Sequence, residues 1–231
     1  MIIAGLIVLV LLLLIARAIF VLTSVSSFKK AWAAESNAQI NDDAIVISAL
    51  GDSTVQGVGG FSKNDGFVGQ VANRISKRSG KTVQIFNYSV SGSDSEQVLQ
   101  TQVAQFKKLK RVDAVIVAMG PNDITHKKSL ESFLENYRTL LSELPTEKTV
   151  IASLPPMGPK DTKGRSSYEW GQALKPVAAQ NNVAVAPVFD KVNPRANDFR
   201  TYGGDFYHPS KAGYKLWADA FEPPLLKILN Q

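Results

Sequence analysis

From residue 43 onward, apolar and polar positions follow two rhythms. Short, nearly all-apolar runs rich in β-branched residues occupy 44–50, 82–90, 114–119, 149–154 and 183–188. Between them, residues 67–78, 95–109, 130–144 and 167–180 place apolar side chains at the three- and four-residue spacing of an amphipathic helix. A last segment of this kind covers 210–221, and Pro223 and Pro224 are expected to end it, because neither supplies a helical N–H. Gly, Pro and Asn punctuate the other junctions. Strands alternating with helices of this length form βαβ units, and such units build a parallel sheet covered on both faces. The strand runs lack polar alternation, as doubly covered strands do. The predicted fold is therefore α/β, with a five-stranded parallel sheet.

The first 22 residues follow neither rhythm. Residues 2–22 are apolar except for Arg17, and about 20 apolar residues suffice to span a bilayer as a helix. The segment is read as a retained transmembrane anchor in preference to a signal peptide, because no Lys or Arg precedes it and it exceeds the usual apolar region of a signal. Ala31 and Ala33 form an A-x-A pattern, so cleavage stays open as the alternative. Arg17 can snorkel towards an interface. Lys29 and Lys30 behind the span favour a cytoplasmic domain by the positive-inside rule, against the terminal amine alone in front; so few charges do not decide the side of the membrane. Residues 23–42, rich in Ser, Ala and Asn, read as a polar tether, and 43–231 as the globular domain.

With 45% hydrophobic and 20% charged residues among 231, the composition is globular rather than disordered. The absence of cysteine excludes a disulfide framework, a thiolate metal site and a cysteine nucleophile. The net charge of +6 is modest. Its one local cluster, Lys107, Lys108, Lys110 and Arg111, closes a predicted helix, where cations complement the dipole. The cluster is compatible with contact to anionic lipid. No basic stripe interleaves with aromatic residues, so nucleic acid is not an expected partner.

In open parallel sheets, ligands bind beyond the carboxyl ends of the strands. The segments there are Gly51-Asp52-Ser53-Thr54, Ser91-Gly92-Ser93, Gly120-Pro121-Asn122-Asp123, Pro155-Pro156-Met157 and the loop 189–208. Ser53 sits in a tight, Gly-containing turn, and its hydroxyl becomes a useful nucleophile only when a base takes its proton. The chain has two histidines, His126 and His208. His208 stands just before the last helix in Asp205-Phe206-Tyr207-His208-Pro209, so Asp205 can fold back onto the imidazole and fix its tautomer. Acyl transfer also needs donors for the developing oxyanion. The N–H groups of Ser53 and Gly92 and the side-chain amide of Asn122 are candidates.

Taken in order, Gly51-Asp52-Ser53, Gly92, Gly120-Pro121-Asn122-Asp123 and Asp205-Phe206-Tyr207-His208-Pro209 resemble the four sequence blocks of the SGNH (GDSL-like) hydrolases, over roughly residues 44–222. The resemblance implies a flavodoxin-like, three-layer α/β/α fold. It implies Ser53 as nucleophile, His208 as base, Asp205 orienting that base, and an oxyanion hole from Ser53, Gly92 and Asn122. Thr54 departs from the Leu or Ile frequent in the family and is expected to pack beneath the turn. The specificity lies in the set. Gly-Asp-Ser alone makes ordinary turns, and Asp-x-x-His occurs a second time at Asp123-Ile124-Thr125-His126.

Nearby residues have plainer readings. Asp52 braces its turn through backbone N–H groups, and Asp123 holds the Asn122 loop. Ser91, Ser93 and Ser95 are turn and cap residues. His126 is a loop histidine outside the matched blocks. Pro155, Pro156 and Met157 either line the acyl or leaving-group side or only turn the chain, and Tyr168 and Trp170 pack. Gly80-Lys81-Thr82 is not a phosphate-binding loop, since Ile75 stands in place of its first glycine and a strand follows. Ser53 is not in G-x-S-x-G, which argues against an α/β-hydrolase elbow. No histidine pair suits zinc, so neither a metal nor another cofactor is expected. The expected activity is hydrolysis of a carboxylic ester, lysophospholipid-like or with a small acyl group. O-acetyl groups on an envelope polysaccharide are the rival substrate, and a catalytically idle, membrane-tethered binding domain is the rival function.

Overall fold

A computed structural model describes residues 2–157 and 165–230. Five strands, β1 (Ile45–Gly51), β2 (Val83–Asn87), β3 (Ala114–Ala118), β4 (Thr149–Ala152) and β5 (Ala184–Ala186), pair in parallel in the order β2-β1-β3-β4-β5. The order reverses once: the chain steps outward from β1 to β2, then crosses to β3 on the other side of β1. This is the flavodoxin-like order, whose ligand crevice opens between β1 and β3.

The helices are α1 (Ile2–Ser36), α2 (Ser53–Gln56), α3 (Phe67–Ser79), α4 (Ser95–Gln97), α5 (Val103–Phe106), α6 (Pro121–Thr125), α7 (Leu130–Ser142), α8 (Arg165–Gln180), α9 (Val188–Val192) and α10 (Lys211–Ile228). The two-residue period of the strands divides the core between two faces. Ile45, Ile47 and Ala49 pack towards α3 and α10, where Phe67 stacks on Phe221 with ring centroids 4.8 Å apart and lies 5.3 Å from Trp217. Leu50, Val115 and Val117 pack towards α7 and α8, against Phe133, Tyr137, Leu174 and Val177.

Three expectations from the sequence are corrected. Residues 23–36 are not a tether but the second part of α1, which is 35 residues long, about 52 Å at 1.5 Å per residue. Val21, Ser24, Phe28 and Trp32 are buried at three- and four-residue spacing, so packing on the domain overrides the local Ser and Ala composition. Trp32 Nε1 donates to the Gln56 carbonyl at 3.0 Å, and Lys63 Nζ lies 3.9 Å from the centre of its ring. Asn87 N on β2 donates to Ser36 Oγ at 3.0 Å, and Asn41 N to Gln84 Oε1 at 2.7 Å. The segment thus covers an edge strand whose backbone groups need partners.

Second, α10 runs through Pro223 and Pro224 to Ile228. Two helical N–H groups are lost, but Phe221 and Leu225 are fully buried in the core and hold the helix on both sides of the prolines. Third, the helix expected over 95–109 is interrupted by a π-helical turn, Val98–Gln102. Most large apolar side chains from Ile3 to Phe20 of α1 are exposed, and α1 is long and apolar enough to cross a membrane.

Phe67 is the aromatic hinge of the α3–α10 layer. Phe67→Ala is expected to cost about 3–5 kcal/mol of unfolding free energy, measured by urea titration followed through tryptophan fluorescence. A loss below about 1 kcal/mol would show that this layer does not share the cooperative core.

Candidate active site

β1 and β3 end side by side, with Gly51 opposite Ala118. At Gly51 φ is +145°, and a Cβ there would lie 1.9 Å from the Ala118 carbonyl oxygen, so only glycine lets β1 leave the sheet at this point. Gln102, presented by the π-helical turn, clamps the strand end from behind. Its Oε1 accepts from Gly51 N and its Nε2 donates to Gly51 O, both at 2.8 Å. Asp52 then caps α2, accepting from Thr54 N at 2.8 Å and Thr54 Oγ1 at 2.7 Å. Thr54 is therefore not merely packed beneath the turn: its hydroxyl braces Asp52 and its side lines the crevice. Burial raises the Asp52 carboxyl above its ordinary value, against the pull of the Thr54 hydrogen bonds. Ser53, the first residue of α2, has no intrahelical partner for its N–H.

His208 arrives on a small closed loop. Tyr202 bridges antiparallel to Pro209, Gly203 N donates to His208 O at 2.7 Å, and Ser210 N donates to Thr201 O at 2.8 Å before Ser210 caps α10. Inside the loop, Asp205 Oδ1 accepts from Tyr207 N at 3.1 Å and His208 N at 3.0 Å, while Oδ2 lies 2.6 Å from His208 Nδ1. A carboxylate only accepts, so Nδ1 carries the proton. That leaves His208 Nε2 as an acceptor, 2.9 Å from Ser53 Oγ. Burial by itself raises the Asp205 carboxyl, but hydrogen bonding and charge from His208, with the two N–H groups, hold it below the ordinary 3.8. Gly59 backs the loop: a Cβ there would lie 2.4 Å from Pro209 O and 2.9 Å from His208 Cβ.

On the other side of Ser53, Asn122 stands on α6. Its Nδ2 donates to Ser93 O at 3.0 Å, and Asp52 Oδ2 is 3.5 Å away. Asp123 is buried, which raises its carboxyl despite hydrogen bonds from Ser95 N at 3.0 Å and Ser95 Oγ at 2.5 Å. Asn136 Nδ2 on α7 donates to Ser95 Oγ at 2.9 Å. This buried lattice ties the Gly92 loop to the Asn122 loop. Ser91 donates to Gln56 Oε1 at 2.8 Å. His126 faces away, with Nδ1 3.1 Å from Asp94 Oδ2 at the cap of α4.

Ser53, Asp205 and His208 are thus brought together in one hydrogen-bonded line, with Asn122 beside it. Gly92 precedes the Ser93 carbonyl that holds Asn122, and is not among the residues lining the crevice. The crevice, about 430 Å³, is lined by Ser53, Asn122, Pro156, Met157, Tyr207 and Trp217 among others. Trp170 packs on Phe133 and Tyr168 on Phe189. Sequence reasoning missed Gln102 and Gly59. The first had a signal, a Gln interrupting an apolar helix face; the second was visible only as one of several glycines.

A serine, an imidazole and a carboxylate in line at the switch point of a flavodoxin-like sheet can transfer a proton from the hydroxyl and carry out acyl chemistry. The comparisons agree on the class: this is a carboxylic ester hydrolase. The sequence profile of the GDSL-like Lipase/Acylhydrolase family matches residues 49–216, and the chain belongs to that family. It is 27% identical to the uncharacterized protein YpmR of Bacillus subtilis (strain 168), over 75% of this chain and 78% of that protein. Its fold is similar to the crystal structure of TesA, with a TM-score of 0.67 and 20% identity over 80% of this chain and 99% of that one. A lipase/acylhydrolase from Enterococcus faecalis matches with a TM-score of 0.66 and 20% identity, over 80% of this chain and 96% of that one. At these identities the two structures speak for the fold alone.

The depressed Asp205 carboxyl carries a pH signature. A carboxylate held below its unfolded value stabilises the fold at neutral pH, and that contribution is lost as pH falls through its folded value, here below 3.8. Asp205→Asn should therefore be less stable than wild type at pH 7, and the gap should close in strong acid. Urea titrations of both proteins across this range check it; a gap independent of pH would contradict a stabilising carboxylate at Asp205.

Proposed function

We propose that the protein hydrolyses carboxylic esters through an acyl-enzyme on Ser53, with His208 as base and Asp205 orienting it. The observation that carries this reading is the 2.9 Å contact between His208 Nε2 and Ser53 Oγ, on an imidazole whose Nδ1 proton is held by Asp205 at 2.6 Å. Ser53 Oγ attacks the ester carbonyl as its proton passes to Nε2. The tetrahedral oxyanion collapses, the alcohol leaves with the proton from Nε2, and the acyl group stays on Ser53. A water then gives its proton to Nε2, attacks the acyl carbon and releases the acid, restoring Ser53.

The oxyanion is assigned to the N–H groups of Ser53 and Gly92 and to Asn122 Nδ2. One Asn122 N–H is engaged by Ser93 O; the other has only the 3.5 Å approach to Asp52, which leaves it available for a stronger acceptor. The substrate proposed is a lipid-derived ester of the lysophospholipid kind, because the Pro156, Met157 and Trp217 walls of the crevice suit an apolar group. An O-acetylated polysaccharide finds less support in these walls.

Residues 1–22 are proposed as a retained single-pass membrane anchor. What supports retention over cleavage is Trp32, which lies between Ala31 and Ala33 and is inserted into the domain with its indole bonded to Gln56. A catalytically idle binding domain is disfavoured, since neither the nucleophile, the base nor their alignment is missing.

Two substitutions separate the two Asp-x-x-His strings. His208→Ala is expected to remove nearly all turnover of p-nitrophenyl acetate, while His126→Ala, whose ring faces Asp94, leaves most of it; the reverse result would overturn the assignment. Asn122→Ala is expected to lower kcat by about 10²- to 10³-fold with little change in KM, because an oxyanion donor acts mainly in the transition state. Steady-state kinetics decide it, and an unchanged kcat would reduce Asn122 to a loop-shaping residue.

A further inference from the structure

The docked half of α1 fixes where the catalytic loop lies relative to the free half. Val21, Ser24, Phe28 and Trp32 are buried on the domain, whereas most apolar side chains from Ile3 to Phe20 are exposed. Twenty helical residues rise about 30 Å, the thickness of the hydrocarbon layer. If residues 2–20 occupy that layer, as proposed above, the bilayer surface meets the domain near Phe20.

The catalytic loop reaches that level and beyond it. A Cβ on Gly204 would lie 2.6 Å from Arg17 Cβ and 2.7 Å from Arg17 O, so the loop beside Asp205 rests directly on the helix almost one turn further into the span than Phe20. Phe61 contacts Phe20, with ring centroids 5.8 Å apart. A groove of about 530 Å³ runs between them, lined by Leu13, Arg17, Phe20, Phe61, Phe199 and Phe206 among others. Its three domain phenylalanines are poorly covered: Phe61 is 77% exposed, Phe199 72% and Phe206 59%.

Phe206 adds an independent observation. It lies between Asp205 and His208, lines both this groove and the crevice over Ser53, and is held at φ +55°. A left-handed backbone is unfavourable for a bulky residue and persists only where the surroundings impose it. Here it turns a large apolar ring outward from the middle of the catalytic loop.

We infer that Phe61, Phe199 and Phe206 seat the mouth of the active site in the interfacial layer of the bilayer that α1 spans, so that esters reach Ser53 from the membrane rather than from bulk water. The inference rests on the anchor reading and gives it an orientation. The occupant is lipid because the phenylalanine face is continuous with an apolar helix surface that itself requires a lipid environment. A second copy of the chain on this face is the competing occupant.

The test uses the full chain in vesicles of phosphatidylcholine and phosphatidylglycerol containing lipid with a doxyl group high on the acyl chain. Phe61→Trp and Phe199→Trp should each add fluorescence that the doxyl lipid quenches. Lys81→Trp, at the far edge of the sheet, should add fluorescence that it does not. The double variant Phe61→Ser/Phe199→Ser should lower turnover of a long-chain ester carried in the vesicles by about tenfold, and leave p-nitrophenyl acetate hydrolysis in solution unchanged. Quenching at 61 and 199 no stronger than at 81 would overturn the inference. So would emission that depends on the protein-to-lipid ratio and not on the quencher, which would put a second copy on the face. Release of the chain from vesicles by alkaline carbonate would overturn the anchor and the inference together. Failure of the wild type to cleave any ester would sink the hydrolase reading alone, since quenching would still decide the orientation.

Discussion

Ser53 and His208 are 155 positions apart in the chain, and the proposed chemistry requires their side chains to meet at 2.9 Å. Each side of that contact is fixed by backbone geometry more than by side-chain choice. On one side, β1 leaves the sheet at a glycine pressed against β3, and two hydrogen bonds with the Gln102 side-chain amide hold the strand end while Asp52 starts the next helix. On the other, a loop pinned at Tyr202, Gly203 and Ser210 carries an Asx turn that aims the imidazole. Gly59 is where the two halves touch, and it has no room for a side chain there. The five-stranded sheet and its two aromatic layers act as the rigid frame that makes these two turns neighbours.

Much of this was legible in the sequence because the constraint is local. Every strand lies inside an expected run to within a residue, and β1, β3 and β4 read as nearly continuous apolar stretches because both of their faces are buried. Ser53, Asn122, Asp205 and His208 were readable as candidates from short motifs that specify their own turns, at the end of β1, at the start of α6 and in the loop ahead of α10. Gln102 interrupts an apolar helix face, but that signal does not name its partner, because the π-helical turn that presents it to the end of β1 has no composition signature of its own. The segment 23–36 was misread for a related reason. Its Ser and Ala content suggests a linker, and only the tertiary docking of Phe28 and Trp32 makes it helix. Pro223 and Pro224 failed as stop signals because Leu225 beyond them has a fully buried place to go.

The docked helix also changes how the domain is understood. A flexible tether would let the hydrolase sample any orientation above a membrane. A single helix continuous with the domain's packing, hydrogen-bonded through Trp32 to α2 and through Ser36 to β2, permits few. The helix α1 and the loop that carries Asp205 and His208 are then one mechanical unit, joined where Gly204 rests on Arg17. The same contact that brings the loop close to the helix brings the crevice close to whatever surrounds the helix.

The central claim is that Ser53 is the activated nucleophile of this arrangement. Treating the full-length protein with a fluorophosphonate ester and locating the adduct by peptide mass spectrometry tests it most directly, because the reagent reports an activated hydroxyl independently of any substrate. A single adduct on Ser53, formed at pH 8 and absent from His208→Ala, is the predicted result. An adduct on another serine, or ester turnover that persists with Ser53 unlabelled, would contradict it.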